Sequence, residues 1–221
     1  MLKVLVFDSG WGGDLIADYL EQELPIEVER LIDWRSGSYS EKTPGEIRLL
    51  SEMAILPHIG EADVIVLSEA ATAAVALDFL KQRYPNQVFV GYGHDLAELV
   101  RRLSQAVMIL TTEGVKRSEF YQHSKVNFSG KELVEPECLG WEDHIDNGDL
   151  PEEVVSRAVG DFRGTVVVYN PGFFEIIPKL EKIAGQRISI IDMKRALLRD
   201  VCLALKLRGV DGYAPDQRFA R

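Results

Sequence analysis

Short apolar runs alternate with longer amphipathic stretches along most of the chain. Residues 3–7 form an apolar run that stops at the turn-forming Asp8-Ser9-Gly10, and residues 15–24 then carry apolar side chains at helical spacing. This pattern predicts a strand followed by a helix. The same reading gives strands at 27–32, 64–67, 88–90, 107–110, 165–169 and 188–191, with helices at 44–58, 72–83, 96–103 and 196–207. Strands that alternate with helices predict an α/β fold built on parallel sheet flanked by helices. Residues 64–77 and 166–180 each run strand, turn, helix without clear sequence identity, so the organisation repeats. The expected architecture is two similar lobes, each a parallel sheet flanked by helices, with a cleft between them. Ligands in such folds sit beyond the carboxyl ends of the strands. The informative loops are therefore 8–13, 33–43, 68–72, 111–118 and 170–172.

Composition narrows the class of protein. The 221 residues are 46% hydrophobic, enough for one or two proper cores, and no long apolar run approaches the roughly 20 residues of a membrane-spanning helix. With 35 acidic against 25 basic side chains the net charge is −10, which opposes direct binding to nucleic acid phosphates. A cytoplasmic, membrane-free protein is expected. Cys138 and Cys202 are too far apart for a metal or redox spacing, and both read as core thiols. His58, His94, His123 and His144 show no metal-site spacing, so no metal is expected. The Gly10-Trp11-Gly12-Gly13 run lacks the dinucleotide fingerprint and the Gly-Lys-Ser/Thr ending of a phosphate loop, and no cofactor is expected.

The loops carry a resemblance. Val6-Phe7-Asp8-Ser9-Gly10-Trp11-Gly12-Gly13 is similar to the N-terminal signature of glutamate racemases. The stretch from Asp33 through Ser38-Tyr39-Ser40-Glu41-Lys42-Thr43-Pro44 resembles their Asp-x4-Pro-Tyr-Gly-x-Lys-Ser-Pro segment. The similarity continues through Ala74 to Leu77, Thr112-Glu113-Gly114, Cys138, Asp146-Asn147-Gly148 and Ile191-Asp192, and so spans nearly the whole chain. It implies a first lobe of residues 1–92 plus 194–221, a second lobe of 93–193, and a homodimer.

In that family a Cys-Asn-Thr motif follows one central strand and a Cys-Thr-His motif follows the matching strand of the other lobe. Here the corresponding positions read Glu69-Ala70-Ala71 and Asn170-Pro171-Gly172. Racemising a free amino acid needs one group to remove the α-proton and a second to return a proton on the opposite face. A side-chain amide such as Asn170 does neither near neutral pH, whereas Glu69 has the chemistry of a single base. The resemblance also implies Asp8, Ser9, Tyr39, Thr72 and Asn170 as ligand-binding residues, with Asp8 beside Glu69 as a second candidate catalytic carboxylate. Two neighbouring carboxylates repel, so either one takes up a proton or the site favours a cation or amine over an acidic substrate. The expected ligand is thus small and amino-acid-like or an amine.

Each of these residues also has a structural reading. Asp8-Ser9-Gly10 suits a strand-to-helix turn with a capping side chain and a glycine at unusual backbone angles. Tyr39 reads equally as a packed loop aromatic. Phe173 and Phe174, with Trp34 and Trp141, are bulky rings suited to filling a vacated site or forming an exposed patch. Three functions fit the sequence. The first is a glutamate-racemase-like protein that lacks the two-thiol mechanism and serves as a small-molecule-binding or regulatory protein. The others are an isomerase or lyase using Glu69 as its single general base, and a protein-interaction module of unknown partner.

Overall fold

The most apolar runs occupy the centres of two sheets. A computed structural model describes residues 1–39, 42–93, 96–103, 106–126, 128 and 130–207. The expectations placed on Ser40, Glu41, His94 and 208–221 lie outside the described residues.

The first sheet contains β1 (Lys3–Asp8), β2 (Glu27–Ile32), β3 (Val64–Leu67) and β4 (Val88–Gly91), in the spatial order β2-β1-β3-β4 with every pair parallel. Its helices are α1 (Gly12–Glu23), α2 (Pro44–Ile55) and α3 (Ala70–Arg83). After α4 (Leu96–Arg102), the second sheet contains β5 (Val107–Leu110), β6 (Leu133–Val134), β7 (Gly164–Val168) and β8 (Ile188–Asp192), in the order β6-β5-β7-β8, again all parallel. Around it run α5 (Glu113–Arg117), α6 (Glu119–Val126), α7 (Trp141–Asp146), α8 (Glu152–Val159) and α9 (Ile177–Ala184). The chain then enters α10 (Lys194–Leu207), which packs against β3, β4 and α1 of the first sheet. The two-lobed α/β expectation matches this architecture.

Local chemistry explains the elements. β3, β5 and β7 are buried along their whole length because helices cover both sheet faces, while the edge strands β2 and β8 are only partly buried. At the start of α2, the Thr43 hydroxyl accepts from the Glu46 N–H and the Glu46 carboxylate accepts from the Thr43 N–H, a capping box followed by Pro44 at the first helical position. The helix expected over 44–58 becomes a 3-10 turn at Leu56–His58, where Pro57 has no N–H for the α-helical ladder. β6 was not anticipated, because two residues are too few to display a period. No helix among the described residues is long and apolar enough to cross a membrane.

Both sheets have the same topology, and it fixes where a ligand can enter. In each, the first strand lies between the second and the third, so the chain leaves it in opposite directions and opens a crevice beyond the carboxyl ends of the central pair. In the first sheet those ends deliver Asp8 and Ser68-Glu69; in the second they deliver Thr111 and Tyr169-Asn170.

Candidate functional site

Asp8 terminates β1 and is buried, and its carboxylate organises the turn that follows. Oδ1 accepts from the Gly10 N–H at 2.9 Å and Oδ2 accepts from the Ser68 hydroxyl at 2.6 Å, which ties the ends of β1 and β3 together. Ser68 also sends its hydroxyl to the Phe7 carbonyl. None of Gly10, Gly12 and Gly13 has positive φ, so the expectation of unusual backbone angles is corrected. Two of these glycines provide close approach instead. A Cβ on Gly13 would lie 2.5 Å from both Asp8 Cβ and Ile32 Cδ1, and one on Gly12 would lie 3.1 Å from Pro171 Cβ. The missing side chains let α1 start directly against the Asp8 loop and against the loop after β7.

Glu69 lies two residues beyond β3, after Ser68, and is the N-cap residue of α3. It is 6% exposed, and Oε2 accepts from the Thr72 hydroxyl at 2.6 Å. Across the cleft, Asn170 follows β7 and Tyr169 and caps the 3-10 turn Pro171–Ile176, with Oδ1 accepting from the Gly172 N–H at 2.9 Å. Thr111 supports this loop by donating to the Tyr169 carbonyl.

Asp8, Ser9, Glu69 and Asn170 line one cavity of about 150 Å³ between the lobes. Trp11, Trp34, Ser38 and Gly172 also border it, as do Asp143 and Ile145 from α7. Tyr39 and Thr72 stand behind this lining. The Tyr39 N–H donates to Ser9 Oγ at 3.0 Å, its hydroxyl donates to Asp33 at 2.7 Å, and its ring packs edge-on against Phe7. Burial raises the Tyr39 phenol well above its ordinary value, and the hydrogen bond to Asp33 and the charges of Asp33 and Glu69 raise it further. Thr72 is fully buried and reaches the cavity only through Glu69.

Asp143 and Ile145 carry no signal in the sequence that marks them as lining residues. They arrive because Trp141 of the same helix packs against Phe173, with ring centroids 5.6 Å apart. Phe173 is fully buried, and Phe174 packs against Tyr92 and beneath the Lys194 ammonium. Neither phenylalanine borders the remaining cavity and neither is exposed, which corrects the exposed-patch expectation for the pair. Their rings stabilise the loop and helix that form one wall.

The cavity contains two buried carboxylates and no thiol. Cys138 and Cys202 are both buried and reduced, and neither borders it. Burial raises the Cys202 thiol above its ordinary value, partly offset by the charge of Lys206. His58 lies beside Glu29 and His144 beside Asp149. Among the described residues no three His, Cys, Asp or Glu side chains cluster as a metal site. Chemically, Glu69 and Asp8 can accept protons, Asn170 can only hydrogen-bond, and the charged groups of the lining are all acidic.

No family model matches the chain. Among characterised proteins it is 26% identical to a glutamate racemase of Roseiflexus sp. over 219 residues, covering 93% of this chain and 80% of the relative. It is 29% identical to a glutamate racemase of Ralstonia pickettii, covering 93% of this chain and 77% of the relative. Among solved structures, the glutamate racemase of Francisella tularensis in complex with D-glutamate superposes with a TM-score of 0.83 at 19% identity, covering 96% of this chain and 84% of that one. Over nearly its whole length the chain is similar to glutamate racemases. In the aspartate/glutamate racemase fold it adopts, the cleft between the lobes is bounded by Glu69 on one side and Asn170 on the other.

Proposed function

We propose that this chain binds a small molecule in its interlobe cleft as a binding or regulatory protein, without the two-thiol racemisation of the family it resembles. The observation that carries this reading is the pairing of Glu69 and Asn170. They follow the equivalent strands β3 and β7 of the two lobes and border one cavity, which supports reading them as the two places from which a proton would be taken and returned. An amide in one of them leaves only one side with a proton-exchanging group. Residues 1–92 with 194–221 are taken as one lobe and 93–193 as the other, a division supported by the packing of α10 on the first sheet. Incubating the protein with D- or L-glutamate in deuterated water tests the proposal. The α-proton signal is expected to persist as in a protein-free control, and its exchange would overturn the reading.

A second reading is favoured by the position of Glu69 in the cleft, where it has the chemistry of a single general base with Asp8 beside it in the lining. Any turnover found on screening amino-acid-like substrates is then expected to vanish in Glu69→Gln. Turnover unchanged by that substitution removes Glu69 from the chemistry.

A further inference from the structure

We infer that the interlobe cleft selects a small organic ammonium ion lacking a carboxylate, an assignment that rests on the cleft being a ligand site. The buried carboxylates of Asp8 and Glu69 border the cavity, Asp143 adds a third acid, and no Lys, Arg or His appears among the described lining residues. A ligand carboxylate entering here would meet like charge beside two buried carboxylates, where repulsion is less screened than in bulk water. The charged lining groups are hydrogen-bond acceptors only, which suits a cation.

Aromatic surface points the same way, independently of the acids. Trp11 and Trp34 border the same cavity while remaining 37% and 58% exposed, and neither indole has a ring or cation partner among the described residues. Large apolar surface left open at the rim of a cavity marks a binding site more often than a packing fault. Indole is the side chain that best attracts a cation over its face. Two indoles and two buried carboxylates therefore surround a space of about 150 Å³, which restricts the ligand to a few carbon atoms around its charged nitrogen.

Calorimetric titration of the intact protein with four probes tests the assignment. These are ethanolamine, choline, the uncharged carbon isostere of choline in which tert-butyl replaces trimethylammonium, and L-glutamate. Both cations are expected to bind, choline more tightly than its isostere by about tenfold or more, with no heat from glutamate. Trp34 is exposed, so Trp34→Ala is expected to keep the melting temperature while weakening choline binding roughly 3- to 30-fold. Glu69→Gln keeps the side-chain shape and is expected to weaken it about tenfold. Circular dichroism melts of both variants separate lost binding from lost folding. Equal affinity for choline and its isostere, binding of glutamate, or silence from both cations at millimolar concentration overturns the assignment. Glutamate bound without α-proton exchange would overturn only the cation preference, whereas exchange would overturn the proposed function itself.

Discussion

The hydroxyls of Tyr92 and Tyr169 run in opposite directions between the segment that ends β4 of the first sheet and the segment that ends β7 of the second. Tyr92 donates to the Val168 carbonyl at 3.3 Å, Tyr169 donates to the Gly93 carbonyl at 2.9 Å, and the two rings lie 5.9 Å apart. Each tyrosine directly follows a strand, β4 in one lobe and β7 in the other. The pair therefore sets the separation of the two sheets beside the loop that carries Asn170. Burial raises the Tyr92 phenol well above its ordinary value, with the charge of Asp192 next, so this hydroxyl remains a donor throughout the physiological range.

Removing one hydroxyl should loosen the lobes measurably. Tyr169→Phe leaves the Gly93 carbonyl without this partner and is expected to cost about 1–2 kcal/mol in urea unfolding. Tyr92→Phe should cost less, because its bond is longer. An unchanged midpoint for Tyr169→Phe would show that the pair does not hold the lobes.

Gly93 is the most constrained glycine of this boundary. Its φ is +71°, and a Cβ there would lie 2.1 Å from Tyr169 Cε2. Gly93→Ala combines left-handed backbone strain with overpacking against a ring held by its own hydrogen bond, and a loss of about 3 kcal/mol is expected. Thermal unfolding gives the readout, with wild-type stability as the contrary result.

Gly13→Ala offers a test in which the ordinary expectation has the opposite sign. Replacing a helical glycine by alanine usually stabilises by up to about 1 kcal/mol. Here the new methyl would collide with Asp8 Cβ and Ile32, so a net loss of about 1–3 kcal/mol is expected. Displacement of Asp8 should also weaken ligand binding. A stabilised variant would mean that the Asp8 loop yields freely.

Asp33 supplies a pH dependence. Burial opposes its charged form, but hydrogen bonds from Ser36 and Tyr39 outweigh that effect and hold its pKa below the ordinary value. Its stabilising contribution is therefore fully present above the unfolded-state value, near 4, and is lost as pH falls through the lower folded value. In Tyr39→Phe the phenol no longer supports the carboxylate, so the folded pKa should rise and the loss should begin at higher pH. Unfolding free energies of wild type and variant measured from pH 6 to about 2.5 test this, with parallel curves as the contrary result.

The two thiols should be inert. Cys138 and Cys202 are buried in the core, and the raised Cys202 thiol carries little reactive thiolate. Native protein is expected to resist iodoacetamide and to label only on unfolding. A Cys138→Ala, Cys202→Ala double variant is expected to lose stability and keep its ligand affinity. Rapid native labelling, or loss of binding in a folded double variant, would bring a thiol back to the site.

Much of the architecture was readable because strands buried on both faces must be apolar on consecutive residues. The runs 64–67, 107–110 and 165–169 announced the central strands in this way. The short edge strand β6 was hidden because Leu133-Val134 has no period to detect. For the site, strand ends and resemblance led to Asp8, Ser9, Glu69 and Asn170, which the fold brings to one cavity. Tyr39 and Thr72 were chosen by the same reasoning and lie behind the lining, because a residue next to a lining residue, as Tyr39 is to Ser38, or one helical turn on, as Thr72 is from Glu69, can support a cleft without entering it. Asp143 and Ile145 left no signal, since an acidic and an apolar residue on a short helix are ordinary.

Sequence alone determined the alternation of strand and helix, the turn at Asp8, and the chemical identities of Glu69 and Asn170. Those follow from local periodicity and from side-chain type, which need no knowledge of distant neighbours. Only tertiary structure decided that Trp11, Trp34 and the Trp141 helix close around the two carboxylates, and that Phe173 and Phe174 stabilise one wall without bordering the space. Such outcomes depend on residues far apart in the chain, 32 positions for Trp141 and Phe173, 82 for Tyr92 and Phe174 and more than a hundred for Trp34 and Asp143, and hydrophobic packing fixes them only when both lobes are assembled.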